Sequence, residues 1–230
     1  MNGTSMWWYS RKGGGRRVNC DASGTVIHEN YVFAIVADGA ETKGERPSEY
    51  IGRWIQLLLT GLARESIVNE AAVIRQMKTS HEALRRSYPA ERASYAALLL
   101  DREEQRAIMF CCGDCRIGLE SSEQTEPAWL TPVHSLANWR GEKFTHEHLV
   151  SPLRCTLTKS LNSRLFQNPD VIEVGYQATD TWILATDGYW AEHKMEMNSL
   201  NDALDDTSYL RISFKERILQ LDTDCNNFYR

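Results

Sequence analysis

The sequence predicts an α+β fold in which antiparallel sheets carry helices on their faces. Three observations predict it. Strand-like runs open and close the chain while two helix-period stretches stand between them, unlike the one-for-one alternation of parallel β-α-β units. The runs at 93–101 and 106–112 meet at Asp101-Arg102-Glu103-Glu104, a hairpin spacing. Lys12-Gly13-Gly14-Gly15 matches neither a phosphate-binding P-loop nor a dinucleotide fingerprint. At 230 residues, with no internal repeat and no linker, the chain reads as one domain spanning 1–230.

Residues 6–10 form a short strand, and strand alternation splits Trp7 and Trp8 between core and surface. The loop Lys12 to Arg16 follows, then a strand pair at 20–28 and 30–37 turning near Glu29-Asn30. From Ser48 the period changes: Ile51, Trp54, Ile55, Leu58 and Leu62 fall at helical spacing behind Pro47. Ile74, Met77, His81, Leu84 and Tyr88 repeat the pattern in a second helix that Pro89 ends, and His81 on that stripe reads as a core histidine. The hairpin comes next. Residues 120–168 are weakly patterned, with a loop at Ser121 to Pro127 and room for short helices at 145–165. Strands return at 171–178 and 181–186, a helix is expected from Asp187 to about 204, and strands close the chain near 208–214 and 226–229.

Three aspartates punctuate these runs: Val36-Ala37-Asp38-Gly39, Cys112-Gly113-Asp114-Cys115-Arg116 and Ala185-Thr186-Asp187-Gly188. A carboxylate at a strand end sits on the rim of a sheet, where the backbone is fixed and the side chain can reach a cleft. The neighbouring glycine allows close backbone approach or positive φ. Convergent carboxylates make a hard oxygen site suited to Mg²⁺ or Mn²⁺, which points to metal-assisted phosphate chemistry.

Composition narrows the partners. A formal charge of −5 argues against nucleic acid, although Arg11, Lys12, Arg16 and Arg17 leave a local phosphate contact open. No run approaches the ~18 apolar residues of a membrane span, and Met6-Trp7-Trp8-Tyr9 is too short for a signal. A cytoplasmic location is therefore expected, with the six cysteines mostly reduced. Cys112 and Cys115 share a two-residue spacer but lack the second close pair that structural zinc needs. His146-Glu147-His148 reads as surface, and His134 as a loop-fixing residue.

Five segments, in order across nearly the whole chain, resemble those of the protein phosphatase 2C-type, metal-dependent phosphatase family. Arg16-Arg17-Val18-Asn19-Cys20-Asp21-Ala22 resembles its Arg-x-x-Asn-Glu-Asp-Ala opening, and Phe33 to Gly39 its Phe-x-x-x-x-Asp-Gly strand. Gly113-Asp114-Cys115-Arg116 resembles Gly-Asp-Ser-Arg. Leu130 to Ser135 is similar to Leu-Thr-x-Asp-His-Ser, and Thr186-Asp187-Gly188-Tyr189-Trp190 to Ser-Asp-Gly-Leu-Trp. The resemblance implies a four-layer α/β/β/α sandwich, two antiparallel sheets flanked by helices, with a two-metal centre of Mg²⁺ or Mn²⁺ at one end. It implies that Asp38 bridges both ions, that Gly39 lends its carbonyl and that Asp21 belongs to the metal set. Asp187 would hold the other ion, and Asp114 would stand behind the centre or hold a third. Arg16 would grip the substrate phosphate, or Arg17 if the loop shifts by one. The activity implied is hydrolysis of phosphoserine or phosphothreonine in a phosphoprotein by a metal-activated water, in a monomer.

Three departures mark the chain. Cys20 stands where the family has glutamate. At the C-terminus, where the family has Asp-Asn leading into its last strand, Asp224 is the expected ligand with Asp222 behind it and Cys225 between Asp224 and Asn226. Ala40-Glu41-Thr42-Lys43-Gly44 replaces a glycine-rich turn, with Gly44 and Ser48 still resembling the helix start. Cys20 and Cys225, both at positions near the metals, suggest a redox-sensitive pair. Cys20 and the unsettled C-terminal aspartate raise the alternative of an inactive relative that binds phosphoproteins as a regulatory module.

Overall fold

The computed structural model describes residues 3–41, 46–121, 126–196, 199–200 and 202–230. Thr42, Lys43 and Gly44 of the expected departure, and 122–125 of the expected loop, lie outside them.

Among the described residues, thirteen strands build two sheets. One sheet orders β12 (Leu219–Thr223), β1 (Ser5–Arg11), β11 (Thr207–Ser213), β10 (Thr181–Ala185), β6 (Arg116–Glu120) and β7 (Ala128–Trp129). The other orders β13 (Phe228–Tyr229), β2 (Asp21–Ile27), β3 (Tyr31–Gly39), β4 (Arg92–Asp101), β5 (Arg106–Cys112) and β9 (Asp170–Gly175), with β8 (Leu161–Asn162) on the end of β4. The sheets are antiparallel through their centres, as expected, and mixed at two edges: β12 runs parallel to β1 and β13 parallel to β2. The cause is a step-over. β1 and β12 both run opposite to β11, and the turn after Ser213 carries the chain past β1, so the two necessarily share a direction.

Strands β3 and β4 are apolar on both faces because both faces are covered, as expected for central strands. Val32, Ala34 and Val36 point between the sheets with Leu98, Trp182, Leu184 and Leu210. Phe33, Ile35 and Ala37 point the other way, onto α1 (Pro47–Leu62) and α2 (Glu70–Leu84) through Trp54, Ile55 and Met77. Each such large side chain, fully buried, contributes about 1.5–3 kcal/mol. Pro47 lies in the first turn of α1, and Asn69 caps α2 by accepting from Ala72 N at 3.0 Å. His81 is buried, its Nε2 2.9 Å from the Asn162 carbonyl.

The layer over the opposite sheet is not a pair of long helices. It is made by the short α3 (His146–Leu149), a π-helical segment Gly188–Met195, and loop residues Val133 and Phe144, packed on Tyr9, Ile183 and Tyr209. The helix expected from Asp187 to 204 is thus one segment of eight residues, closed by Glu196 N donating to Ala191 O at 3.0 Å. Strands β6 and β12 were not expected. β12 alternates only two leucines with polar residues on an exposed edge, so its pattern is faint.

Candidate active site

Five chain segments end at the same rim of the sandwich. β2 begins with Asp21, directly opposite Asp38 at the end of β3. The turn 113–115 carries Asp114 across from β5 in one sheet to β6 in the other. Asp187 follows β10, and Asp205-Asp206 precede β11, which pairs with β10 through Ala185 and Tyr209. Cross-links hold these ends together. Thr186 Oγ1 donates to Asp21 Oδ2 at 2.9 Å, Gly39 N to Cys20 O at 3.0 Å, and Cys20 N to Asp206 Oδ2 at 2.6 Å.

Asp114 is the most firmly set. Ser94 Oγ donates to its Oδ1 at 2.6 Å, and Trp190 Nε1 donates to its carbonyl at 2.8 Å. Gly113 before it has φ +103°, a conformation favouring glycine, and a Cβ there would overlap Ser94. His134 fixes this turn: its backbone N donates to the Gly113 carbonyl at 3.0 Å, and its ring lies against the same peptide and Asp170.

The glycine loop has its use here. Gly14 N and Gly15 N donate to the carbonyls of Ala203 and Leu204 at 2.9 Å, and Gly13 N donates to Asp206 Oδ1 at 2.9 Å. A Cβ on Gly13 would collide with the Leu204 and Asp205 backbone. This approach sets Arg16 onto Asp205, with Nε 2.6 Å from Oδ1 and Nη2 on Oδ2. On the far side, Arg154 Nη2 donates to Asp187 Oδ2 at 2.7 Å.

Burial pushes the Asp38 carboxyl well above its usual range, reinforced by Asp21, Asp187, Asp205 and Asp114. Asp187 is raised by burial, Asp114 and Asp205 against the pull of Arg154, and Asp21 by burial and Asp206. Asp206 rises to about 6, chiefly through burial. The carboxylates therefore form one mutually repelling group that a cation would relieve. Asp21 Oδ1 and Asp187 Oδ1 are buried with no hydrogen-bond partner, which fits the oxygen donors that a hard divalent ion takes. As placed, no three His, Cys, Asp or Glu side chains among the described residues close around a point, and two of the carboxylates are engaged by arginines instead.

Of the residues singled out from the sequence, Asp21, Asp38, Gly39, Asp114, Asp187 and Arg16 come to this rim. Asp224 lines a cavity with Asp21 and Asn19. It is exposed and accepts from Lys12 N at 2.6 Å and from Asn19 Nδ2 at 3.0 Å. Asp222 pairs with Arg11, and Arg17 with Glu41. Cys20 is buried, its thiol pushed up by burial and Asp206, while Cys225 is exposed; both are free. Cys112 and Cys115 point into opposite cores, so they share no ligand site. His146 and His148 belong to the exposed cap of α3.

Sequence reading missed Asp205, Asp206 and Arg154. The acidic pair had a signal, since it stands just before the alternating run Ser208 to Ile212, but at a strand start and with no glycine beside it. Arg154, in an unpatterned loop, had none.

No family model and no curated protein matches the sequence. Solved structures do. The serine/threonine phosphatase Stp1 from Staphylococcus aureus matches with a TM-score of 0.75 at 16% identity, over 93% of this chain and 95% of that one. The PPM Ser-Thr phosphatase MsPP from Mycobacterium smegmatis, in complex with cacodylate, matches at 0.74 and 19%, over 91% and 97%. The fold is that of the PPM serine/threonine phosphatases. A third such structure, the catalytic domain of PstP in complex with two manganese ions, matches at 0.66 and 15%, over 91% of this chain and 97% of that one. In this PPM fold the acidic rim lies where both sheets end, and no helix among the described residues is long and apolar enough to cross a membrane.

Proposed function

We propose that the chain is a phosphatase domain that hydrolyses phosphoserine or phosphothreonine in proteins with Mg²⁺ or Mn²⁺. The observation that carries this reading is the group of buried carboxylates with unpartnered oxygens at the rim of a PPM fold. Asp38, the Gly39 carbonyl, Asp187 and Asp205 would hold two ions, with Asp21 and Asp114 beside them. Asp205 takes the part that sequence reading gave to Asp224. Bound there, the ions supply a water of lowered pKa and offset the phosphoryl charge.

The chain's own residues do the rest. Asp206, accepting from Gly13 N and Cys20 N, holds the glycine loop and the start of β2 in place. Arg16 presents a guanidinium fork, now on Asp205, that matches phosphoryl oxygens in shape and charge. Arg154 presents a second fork from the opposite wall. Cys20, buried and with its thiol pushed up by burial and Asp206, would neither attack nor ligate.

One observation favours a second reading, a phosphoprotein-binding module without turnover. Arg16 and Arg154 already neutralise two of the carboxylates. The test is hydrolysis of a phosphothreonine peptide with Mn²⁺, with EDTA and Asp38→Asn as controls. Metal-dependent turnover abolished by the substitution supports the enzyme. Peptide binding without turnover in folded protein supports the module.

A further inference from the structure

Against the Trp190 ring lies a second cationic feature. Arg116 is 7% exposed, and among the described residues it meets no carboxylate. Its one hydrogen bond is from Nη2 to the Thr131 carbonyl at 3.4 Å, and its Nε is buried with no partner. The guanidinium lies between two indoles, 5.0 Å from the Trp129 ring and 5.0 Å from Trp190. Stacking on ring faces offsets part of the cost of burying a charge but leaves in-plane N–H groups unanswered. Arg116 lines a cavity of about 330 Å³, with Trp129, Phe144 and Pro132 as apolar lining. Exposed Lys143 and Glu142 stand at its mouth.

A buried guanidinium normally has a carboxylate partner, and a 330 Å³ space beside this one is large enough for a small molecule. We propose that this cavity is an accessory oxyanion pocket, in which Arg116 takes the phosphate or carboxylate group of a small ligand beside Trp129. Planar, two-pronged donation to an oxyanion is the geometry that an arginine offers and a lysine does not. Arg116 is linked to the candidate active site through Trp190, whose ring lies under its guanidinium and whose Nε1 donates to the Asp114 carbonyl at 2.8 Å. The inference stands on the surroundings of Arg116 and does not depend on phosphatase activity.

The test uses the full chain in EDTA, so that no metal site competes, and follows the Arg116 Nε–H signal by ¹H–¹⁵N spectroscopy. The signal is assigned by its loss in Arg116→Lys. Inorganic phosphate and acetate are titrated separately. A saturating shift with phosphate alone defines a phosphate pocket, and saturation with both defines a general oxyanion pocket; either supports the proposal. Lys143→Glu, an exposed change that leaves the fold intact, should then weaken binding roughly threefold or more, as expected for a charge at the rim. No saturable shift with either anion up to tens of millimolar overturns the proposal, as does saturation that Lys143→Glu and Arg116→Lys both leave unchanged by calorimetry.

Discussion

Metal-free protein should lose stability as pH rises from acid to neutral, and Asp206→Asn should remove a defined part of that loss. Asp206 is 2% exposed and its carboxyl rises from 3.8 to about 6, chiefly through burial, against the hydrogen bonds it accepts from Cys20 N and Gly13 N. A carboxyl whose folded pKa lies above its unfolded value stabilises the fold fully below the unfolded pKa. That contribution is lost as pH climbs through the folded one. The shift of 6 − 3.8 = 2.2 corresponds to about 3 kcal/mol at roughly 1.36 kcal/mol per pKa unit. About 1.5 kcal/mol of it falls between pH 4.5 and 6. Asp21, Asp38, Asp114 and Asp187 are raised in the same direction, so the wild-type slope is steeper than Asp206 alone gives.

Asparagine keeps one acceptor oxygen and removes the charge. One of the two N–H donors that Asp206 serves then loses its partner, which costs about 1–3 kcal/mol at all pH values. The variant should therefore be weaker than wild type at pH 4.5 and equal or stronger at pH 7.5. Urea denaturation followed by tryptophan fluorescence at four pH values, in metal-free buffer, measures both. Equal loss of stability in wild type and variant across that window would show that Asp206 carries no raised carboxyl, and the reading of the rim as a strained acidic group would fail.

Other outcomes follow from the same geometry. Mn²⁺ at about a hundred times its dissociation constant should add ~2.7 kcal/mol to the stability of wild type at pH 7.5. Asp187→Asn with Asp38→Asn should receive far less, by the same denaturation assay. Gly13→Ala, forced against the Leu204 and Asp205 backbone, should lower the melting temperature and raise KM for a phosphopeptide by displacing Arg16. Trp190→Phe leaves the buried Asp114 carbonyl without its donor and should cost about 1–3 kcal/mol in urea, more than its lost area alone. Leu184→Ala, in the core between the sheets, should cost ~2–5 kcal/mol by the same measure.

What could be read from the sequence, and what could not, divides along a physical line. Central strands such as β3 and β4 announce themselves because burial on both faces leaves an unbroken apolar run, and their carboxylates stand out as the first polar residue after it. Asp38, Asp114 and Asp187 were visible for that reason. Asp205 and Asp206 come before their strand, after a loop whose backbone is fixed by Gly13 to Gly15 almost two hundred residues earlier in the chain; no local pattern reports that contact. The C-terminal tail is harder to place from sequence. Asp224 precedes the last strand, and β12 and β13 are edge strands added after β11, the strand that Asp205 and Asp206 precede. The buried asparagine near the terminus is Asn227, which accepts from Trp8 and donates to the Asp21 carbonyl at 2.9 Å, so the tail supports the rim from behind. A carboxylate earns its place in such a site by which strands end beside it, and strand order is the property that a single sequence encodes least locally.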